Sequence, residues 1–343
     1  MSQSKCQVLI TGVYRTGSEY FSHIVNCHPG ISVSLYGVNA LRFIYHKYTP
    51  IYKMNNYLKA LNDLENRLQT RYNLNLNKSE ILAELERIEK ITYGAFYDIV
   101  MSSLYLNNSV KIWAEKNQLL WREIPEFLNS LPNGKAILIL RDPRSILLSF
   151  KKFTYAPSPA YLGAIFNSFD AMKHALKYIE ALDNNAFLLV RYEDFARNPE
   201  KYSQKTWEFI GLKGNYNVRN QSNWYNAEGQ PWYANSSFQS NIETSKFDVE
   251  SSINRWKKNL SLEEIALTEL VCGKLMKVFG YELVQPQYNE DVIYQLINDD
   301  KIILTYFNNW KNLGVGIEAF PTDPLLNHNW RNASNTKYNN TGE

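Results

Sequence analysis

Gln7-Val8-Leu9-Ile10-Thr11-Gly12-Val13-Tyr14-Arg15-Thr16-Gly17-Ser18-Glu19-Tyr20-Phe21 decides how this chain is read. Gln7 to Thr11 is a run of strand length, and Gly12 to Gly17 is a loop bounded by glycines. From about Ser18 a helix follows, because Phe21, Ile24 and Val25 fall on one face at helical spacing. Strand, loop and helix in immediate succession aim backbone N–H groups at one spot, where unpaired donors and the helix dipole suit an anion. A nucleoside triphosphatase needs Lys and then Ser/Thr after the second glycine, for the phosphates and for Mg²⁺. This chain has Ser18 and Glu19 there, and its cation stands inside the loop as Arg15. The stretch therefore predicts an anion site that needs no metal and disfavours kinase or ATPase chemistry. The plain alternative is a turn whose Arg15 is merely exposed.

A second unit of the same kind lies further on. Ala136 to Leu140 is a continuous apolar run, and Asp142-Pro143 after it supplies an N-cap and a proline at the first helical position. Arg141 at the strand end and Ser149 two turns into the helix converge on one anion only at the carboxyl edge of a sheet, where open α/β sheets bind ligands. Two separated phosphate sites imply a bisphosphorylated nucleotide. The competing reading has Asp142 capping its helix while Arg141 and Arg144 pair with acids.

Ile31 to Leu35 reads as another strand and Phe187 to Tyr192 as a third buried one. The helix through Ile165, Phe169, Met172, Leu176 and Ile179 connects the second unit to it. Asn198-Pro199 opens a further helix that Gly211 ends, and Ser261-Leu262-Glu263-Glu264 is a capping box opening a long helix closed at Gly280. Buried strands alternating with helices predict an α/β fold, a P-loop-like parallel sheet flanked by helices. Residues 1–283 form its domain, with a helical insertion at about 41–105 expected to act as an acceptor-pocket lid, and 284–343 form a C-terminal extension with a frayed tail. Within the insertion one helical pattern stands out, through Ile81, Leu82, Leu85 and Ile88.

Composition sets outer limits. In 343 residues, 45% are hydrophobic and 21% charged, an ordinary globular balance rather than a disordered one. A net charge of +3, not gathered into a basic block, does not point to nucleic acid. The chain shows no signal peptide and no run near the roughly 18 apolar residues of a membrane span. Its three cysteines, Cys6, Cys27 and Cys272, are odd in number and widely spaced, which fits reduced thiols. A cytoplasmic protein is the expectation.

Taken together, the two anion-binding segments resemble the sulfotransferases that use 3'-phosphoadenosine 5'-phosphosulfate (PAPS). In that family an Arg/Lys-x-Gly-Thr/Ser loop holds the 5'-phosphosulfate, and an Arg with a Ser eight positions later holds the 3'-phosphate. Arg15-Thr16-Gly17-Ser18 and Arg141 with Ser149 match both. Similarity continues through His28-Pro29, Glu115-Lys116, Arg191-Tyr192-Glu193-Asp194-Phe195, Asn235-Ser236-Ser237-Phe238 and Arg255-Trp256-Lys257-Lys258, across most of residues 7–283. The Arg-x-Gly-Ser form is similar to carbohydrate and bacterial members.

The resemblance implies transfer of a sulfuryl group from PAPS to an acceptor hydroxyl, releasing adenosine 3',5'-bisphosphate without a metal. Arg15 and Lys116 would act on the sulfuryl group. Thr16, Gly17, Ser18, Glu19 and Tyr20 would bind the 5'-phosphate side, with Tyr20 and Phe238 at adenine-stacking positions. Arg141, Ser149, Tyr192 and Ser236 would complete the nucleotide site, and Arg255 and Lys257 would stand in for a missing Arg-Lys-Gly clamp. The general base is not matched: where phenol-type members place a histidine, two positions after the lysine, this chain has Gln118. Glu115, His46 and Asp98 are the candidates by residue type, while His23 and His28 read as structural. The acceptor expected is a glycan or glycolipid, with a small natural product, or a nucleotide-binding module without catalysis, as alternatives.

Overall fold

The computed structural model describes residues 5–34, 37–45, 47–152, 159–220, 224, 248–287 and 290–318. Its first unit is β1 (Cys6–Gly12), α1 (Ser18–Val25) and β2 (Ile31–Ser34). The insertion supplies α2 (Ala40–Phe43), α3 (Met54–Tyr72), α4 (Lys78–Glu86) and α5 (Tyr93–Tyr105), and leads to β3 (Ile112–Lys116), α6 (Ile124–Ser130) and β4 (Gly134–Leu140). Then come α7 (Pro143–Lys152), α8 (Gly163–Ala181), β5 (Phe187–Arg191), α9 (Tyr192–Arg197) and α10 (Pro199–Phe209). α11 (Val249–Asn254), α12 (Trp256–Asn259), α13 (Leu262–Val278), α14 (Glu290–Asn298) and α15 (Lys301–Leu313) follow.

The five strands form one parallel sheet in the order β2-β3-β1-β4-β5. From β1 the chain passes to one side for β2 and β3, then crosses back over β1 to β4. The order thus reverses beside β1, the place at whose carboxyl edge open α/β sheets bind ligands. Strand alternation divides the core. Leu9, Trp113, Ala136 and Leu138 face the layer built by the insertion, α7, α8 and α13, while Val8, Ile10, Ile137 and Ile139 face α1, α9 and α10.

One central strand carried no clear sequence signal. β3 lies between β2 and β1, and Ile112-Trp113-Ala114-Glu115-Lys116 ends on two charges. A glutamate in a central strand contradicts the apolar pattern of a doubly covered sheet. Its burial becomes tolerable only through partners brought from elsewhere in the chain.

The insertion is not a separate unit. α3 sends Tyr57, Ala60, Leu61, Leu64 and Leu68 into the same core as the sheet, at the i, i+3, i+4, i+7 spacing of an amphipathic helix. Likewise Ile303 and Phe307 of α15 are buried in that core, against the start of α8. Ser261 and Glu264 exchange both bonds of a capping box at the start of α13. The expected tail at the C-terminus lies outside the described residues.

Candidate active site

The Gly12–Gly17 loop is shaped by two close approaches and two left-handed residues. A Cβ on Gly12 would sit 2.7 Å from the Ile139 carbonyl oxygen of β4, and one on Gly17 would sit 2.4 Å from two ring carbons of Tyr192. Gly17 also has φ +85°, which a side chain disfavours, and Arg15 adopts φ +71° despite having one. Thr16 N–H donates to the Val13 carbonyl at 3.2 Å and closes the turn. α1 then starts at Ser18, so the first-turn N–H groups of Ser18, Glu19 and Tyr20 point into the loop without intrahelical acceptors. Its dipole adds partial positive charge there.

Three arginines collect at this edge. Arg15 Nε donates to Ser149 Oγ at 3.0 Å, which links the loop to α7. Arg141 follows β4 and donates to the carbonyl oxygens of Arg15 at 2.8 Å and Ser252 at 2.7 Å, with its guanidinium 4.2 Å from the centre of the Tyr192 ring. Tyr192 and Ser252 share a hydroxyl–hydroxyl bond of 2.9 Å. Burial, and repulsion from Arg141 and Arg15, lower the Arg255 guanidinium to about 10. Burial is the larger cause, and the two neighbouring guanidiniums add to it. Thr16 Oγ1 and Arg141 Nε are buried polar atoms without a hydrogen-bond partner, so the pocket has polar capacity that an anionic ligand would use.

Arg144, only three residues on, behaves differently. It forms a paired contact with Asp142, reaches Glu269 at 2.6 Å and stacks 3.9 Å from the Trp256 ring. The reading in which both arginines pair with acids therefore holds for Arg144, whereas Arg141 turns to main-chain carbonyls. Lys257 is exposed, with its ammonium 5.8 Å from the centre of the Trp256 ring.

Lys116 ends β3 directly beside Ile10 of β1, two residues before the loop, and its N–H donates to Ser34 Oγ at 3.3 Å. Gln118, two residues later, donates to Ser18 Oγ at 3.1 Å. Tyr20 packs against Phe195 and against Trp224, and Trp224 stacks on His23. His46, Ser236 and Phe238 lie outside the described residues.

The base candidates need correction. Glu115 has no exposed surface, and its Oε1 accepts from Asn39 N–H at 2.7 Å and Asn117 Nδ2 at 3.2 Å while Oε2 accepts the Tyr97 hydroxyl. Burial pushes its carboxyl above the usual range, opposed by those hydrogen bonds. A fully engaged carboxyl has no face left for a substrate proton. Asp98 accepts from Trp113 Nε1 at 2.7 Å and Gln7 Nε2 at 3.1 Å, near the amino ends of β1 and β3 and so at the far edge of the sheet. His28 holds a turn, with Nδ1 accepting from Gly30 N–H and Nε2 beside the Lys213 carbonyl.

A sulfotransferase-family profile matches residues 7–216, more than half of the chain, and spans β1 through α10 with both anion-binding segments. The chain belongs to the sulfotransferase family. Among similar proteins, mouse carbohydrate sulfotransferase 1 is 24% identical over 174 residues, covering 45% of this chain and 40% of the mouse protein. Carbohydrate sulfotransferase 3 of Tetronarce californica is 26% identical over 208 residues, covering 53% and 46%. The chain thus spans less than half the length of either relative. The sulfotransferase domain from the Synechococcus PCC 7002 olefin synthase superimposes with a TM-score of 0.51 at 15% identity, over 82% of this chain and 97% of that domain, and shares the fold.

Sequence reasoning missed several residues of this edge. Ser252 enters through its carbonyl and hydroxyl, which no residue pattern announces. Gln118 is visible in sequence only as a missing histidine, yet it reaches Ser18 at the start of α1. Trp224 comes from a stretch without periodicity and meets Tyr20 only after folding.

Proposed function

We propose that this chain transfers a sulfuryl group from PAPS to an acceptor hydroxyl on a glycan or glycolipid. The observation that carries the reading is the bond from Arg141 to the backbone of the loop that opens α1, with Arg15 of that loop held against Ser149 of α7. Such a site recognises two anionic groups on one ligand, and the Ser18-Glu19 ending does not supply the Lys and hydroxyl of metal-dependent triphosphate chemistry. PAPS supplies the activated sulfuryl group. The chain's own residues bind and orient it: first-turn N–H groups and Ser18 at the 5'-phosphate, Arg141 and Ser149 at the 3'-phosphate, Tyr20 beside the adenine.

In the transfer the acceptor oxygen forms a bond to sulfur while the bond from sulfur to the 5'-phosphate oxygen breaks, and the hydroxyl proton leaves to a base. Arg15 and Lys116 oppose the charge that builds on the phosphate and sulfuryl oxygens. The glycan preference is supported by the named activities of the two carbohydrate sulfotransferase relatives. Three free cysteines, two of them buried, support a reducing, cytoplasmic setting.

Thermal stability measured with adenosine 3',5'-bisphosphate, or with ATP and Mg²⁺, tests the donor. A ligand specific to the folded state adds ~2.7 kcal/mol at a hundred times its dissociation constant. A rise with the bisphosphate alone is expected. A rise only with ATP and Mg²⁺ overturns the reading in favour of a kinase.

A further inference from the structure

Glu115 is a buried acid with a large set of dedicated partners. Its carboxyl joins four segments: the β2–α2 connection through Asn39 N–H, the chain after β3 through Asn117, α5 through Tyr97, and α3 through the charge of Arg67. Arg67 is itself buried on α3 and donates from Nε and Nη2 to the carbonyl of Gly37, in the connection that Asn39 ends. Asn39 has φ +59°, a left-handed conformation that the bond to Glu115 helps to hold. Asn117 N–H donates to the Ile10 carbonyl at 2.8 Å, and Leu119 N–H to the Gly12 carbonyl at 3.0 Å, so the chain after β3 lies against the start of the phosphate loop.

We infer that Glu115 is a positioning residue that clamps residues 37–39 and 116–117 together beside the sulfuryl-transfer site and links the helical insertion to that site. Glu115 and Trp113 share the face of β3 turned to the insertion, while Ile112 and Ala114 face α1. Glu115 therefore acts through the backbone on either side of Lys116 rather than on a reacting atom. Isolated, a buried carboxyl would destabilise the centre of the sheet; with these partners it sets the relation between the insertion and the carboxyl edge. The inference rests on the sulfuryl-transfer reading for its effect on turnover, but not for its effect on local order.

The test uses the full chain as wild type, Glu115→Ala, Glu115→Gln and Tyr97→Phe, with three readouts. These are hydrogen exchange of the 37–45 and 112–120 peptides, calorimetric affinity for adenosine 3',5'-bisphosphate, and PAPS consumption with water or an oligosaccharide mixture as acceptor. Glu115→Ala is expected to speed exchange in both peptides, to leave bisphosphate affinity unchanged, and to slow turnover ~10²-fold, the cost of a small misplacement. Glu115→Gln keeps the acceptor oxygen for Asn39 and Asn117, so it should restore turnover to within about tenfold, the worth of one hydrogen bond. Tyr97→Phe keeps the fold if Glu115→Ala loses it, and should raise exchange in the same peptides to a smaller degree. Unchanged exchange in the two peptides overturns the inference. So does a ~10²-fold or larger loss in Glu115→Gln with exchange and bisphosphate affinity intact, the signature of a general base. Failure of the wild type to bind the bisphosphate overturns the sulfotransferase reading instead, whatever the exchange data show.

Discussion

Arg141 Nη1 lies 2.8 Å from the main-chain oxygen of Arg15, so the residue that ends one strand holds the loop that follows its neighbour. The same guanidinium is fixed on its other side by the Ser252 carbonyl and lies over the Tyr192 ring. Loop shape and ligand charge thus depend on one side chain. Arg141→Ala is expected to abolish the rise in melting temperature that adenosine 3',5'-bisphosphate produces, worth ~2.7 kcal/mol at a hundredfold excess over the dissociation constant. Differential scanning fluorimetry with and without the bisphosphate reads it.

Arg144 should show the opposite pattern. It is buried and held by Asp142 and Glu269, so Arg144→Ala leaves two buried carboxylates without their cation. Loss of ~3–5 kcal/mol of stability is expected, the range for one broken partner of a buried pair. Urea denaturation measures it, and bisphosphate affinity of the fraction that remains folded should change little.

At Gly17 both φ and space are restrictive. Gly17→Ala places a methyl 2.4 Å from the Tyr192 ring at φ +85°. A destabilisation of ~1–3 kcal/mol is expected from strain and overpacking, together with weaker bisphosphate binding because the N-terminus of α1 must shift. Urea denaturation and calorimetry on the same preparation test the two effects.

Arg15 is half-buried, and its guanidinium donates to Ser149 Oγ. Arg15→Ala should lower turnover of PAPS ~10²–10³-fold, as removal of a charge-stabilising donor does, with little change in melting temperature. Ser149→Ala should cost less, because the guanidinium remains and loses only an orienting bond. Steady-state rates of the two variants at saturating PAPS give the ranking.

His23 makes stability depend on pH. Burial, and next the charge of Lys116, lower its imidazole from 6.5 to about 3. Between those values the unfolded chain binds a proton that the folded chain does not, so stability rises with pH and is lost as pH falls from about 6.5 towards 3. The contribution is up to ~1.4 kcal/mol per pH unit inside that window. His23→Phe keeps a ring against Trp224 and should flatten the decline between pH 7 and pH 4.5. An equal slope in wild type and variant, by urea denaturation at both pH values, would refute the assignment.

Much of the sheet was legible. β1, β2, β4 and β5 are short apolar or alternating runs, and their neighbours carry caps, prolines and glycines at the positions helix ends require. α4 was legible too, through Ile81, Leu82 and Leu85, whereas α3 was not, because polar residues between Tyr57, Leu61, Leu64 and Leu68 obscure its stripe. β3 was not, because Glu115 breaks the pattern of a buried strand and its partners come from residues 39, 97 and 117. α14 and α15 alternate apolar and polar residues over short spans, and only their packing on α8 and α13 makes them part of the core.

For the site, residue type and order single out Arg15, Ser18, Arg141 and Ser149 as candidates, because a glycine loop before a helix start and a strand-end arginine are local features. Composition likewise determined a globular chain of mild charge. Tertiary structure alone decided which of two arginines three residues apart is committed to acids and which to the loop. It also decided that Glu115 lies in the core, that Asp98 lies at the opposite edge of the sheet, that Ser252 meets Arg141 and Tyr192, and that Gln118 and Trp224 meet Ser18 and Tyr20 of α1. The physical reason is that a side chain's charge and hydrogen-bonding capacity can be read from its identity. Its direction and partners depend on strand parity, on the crossover from β3 to β4, and on segments a hundred or more residues away.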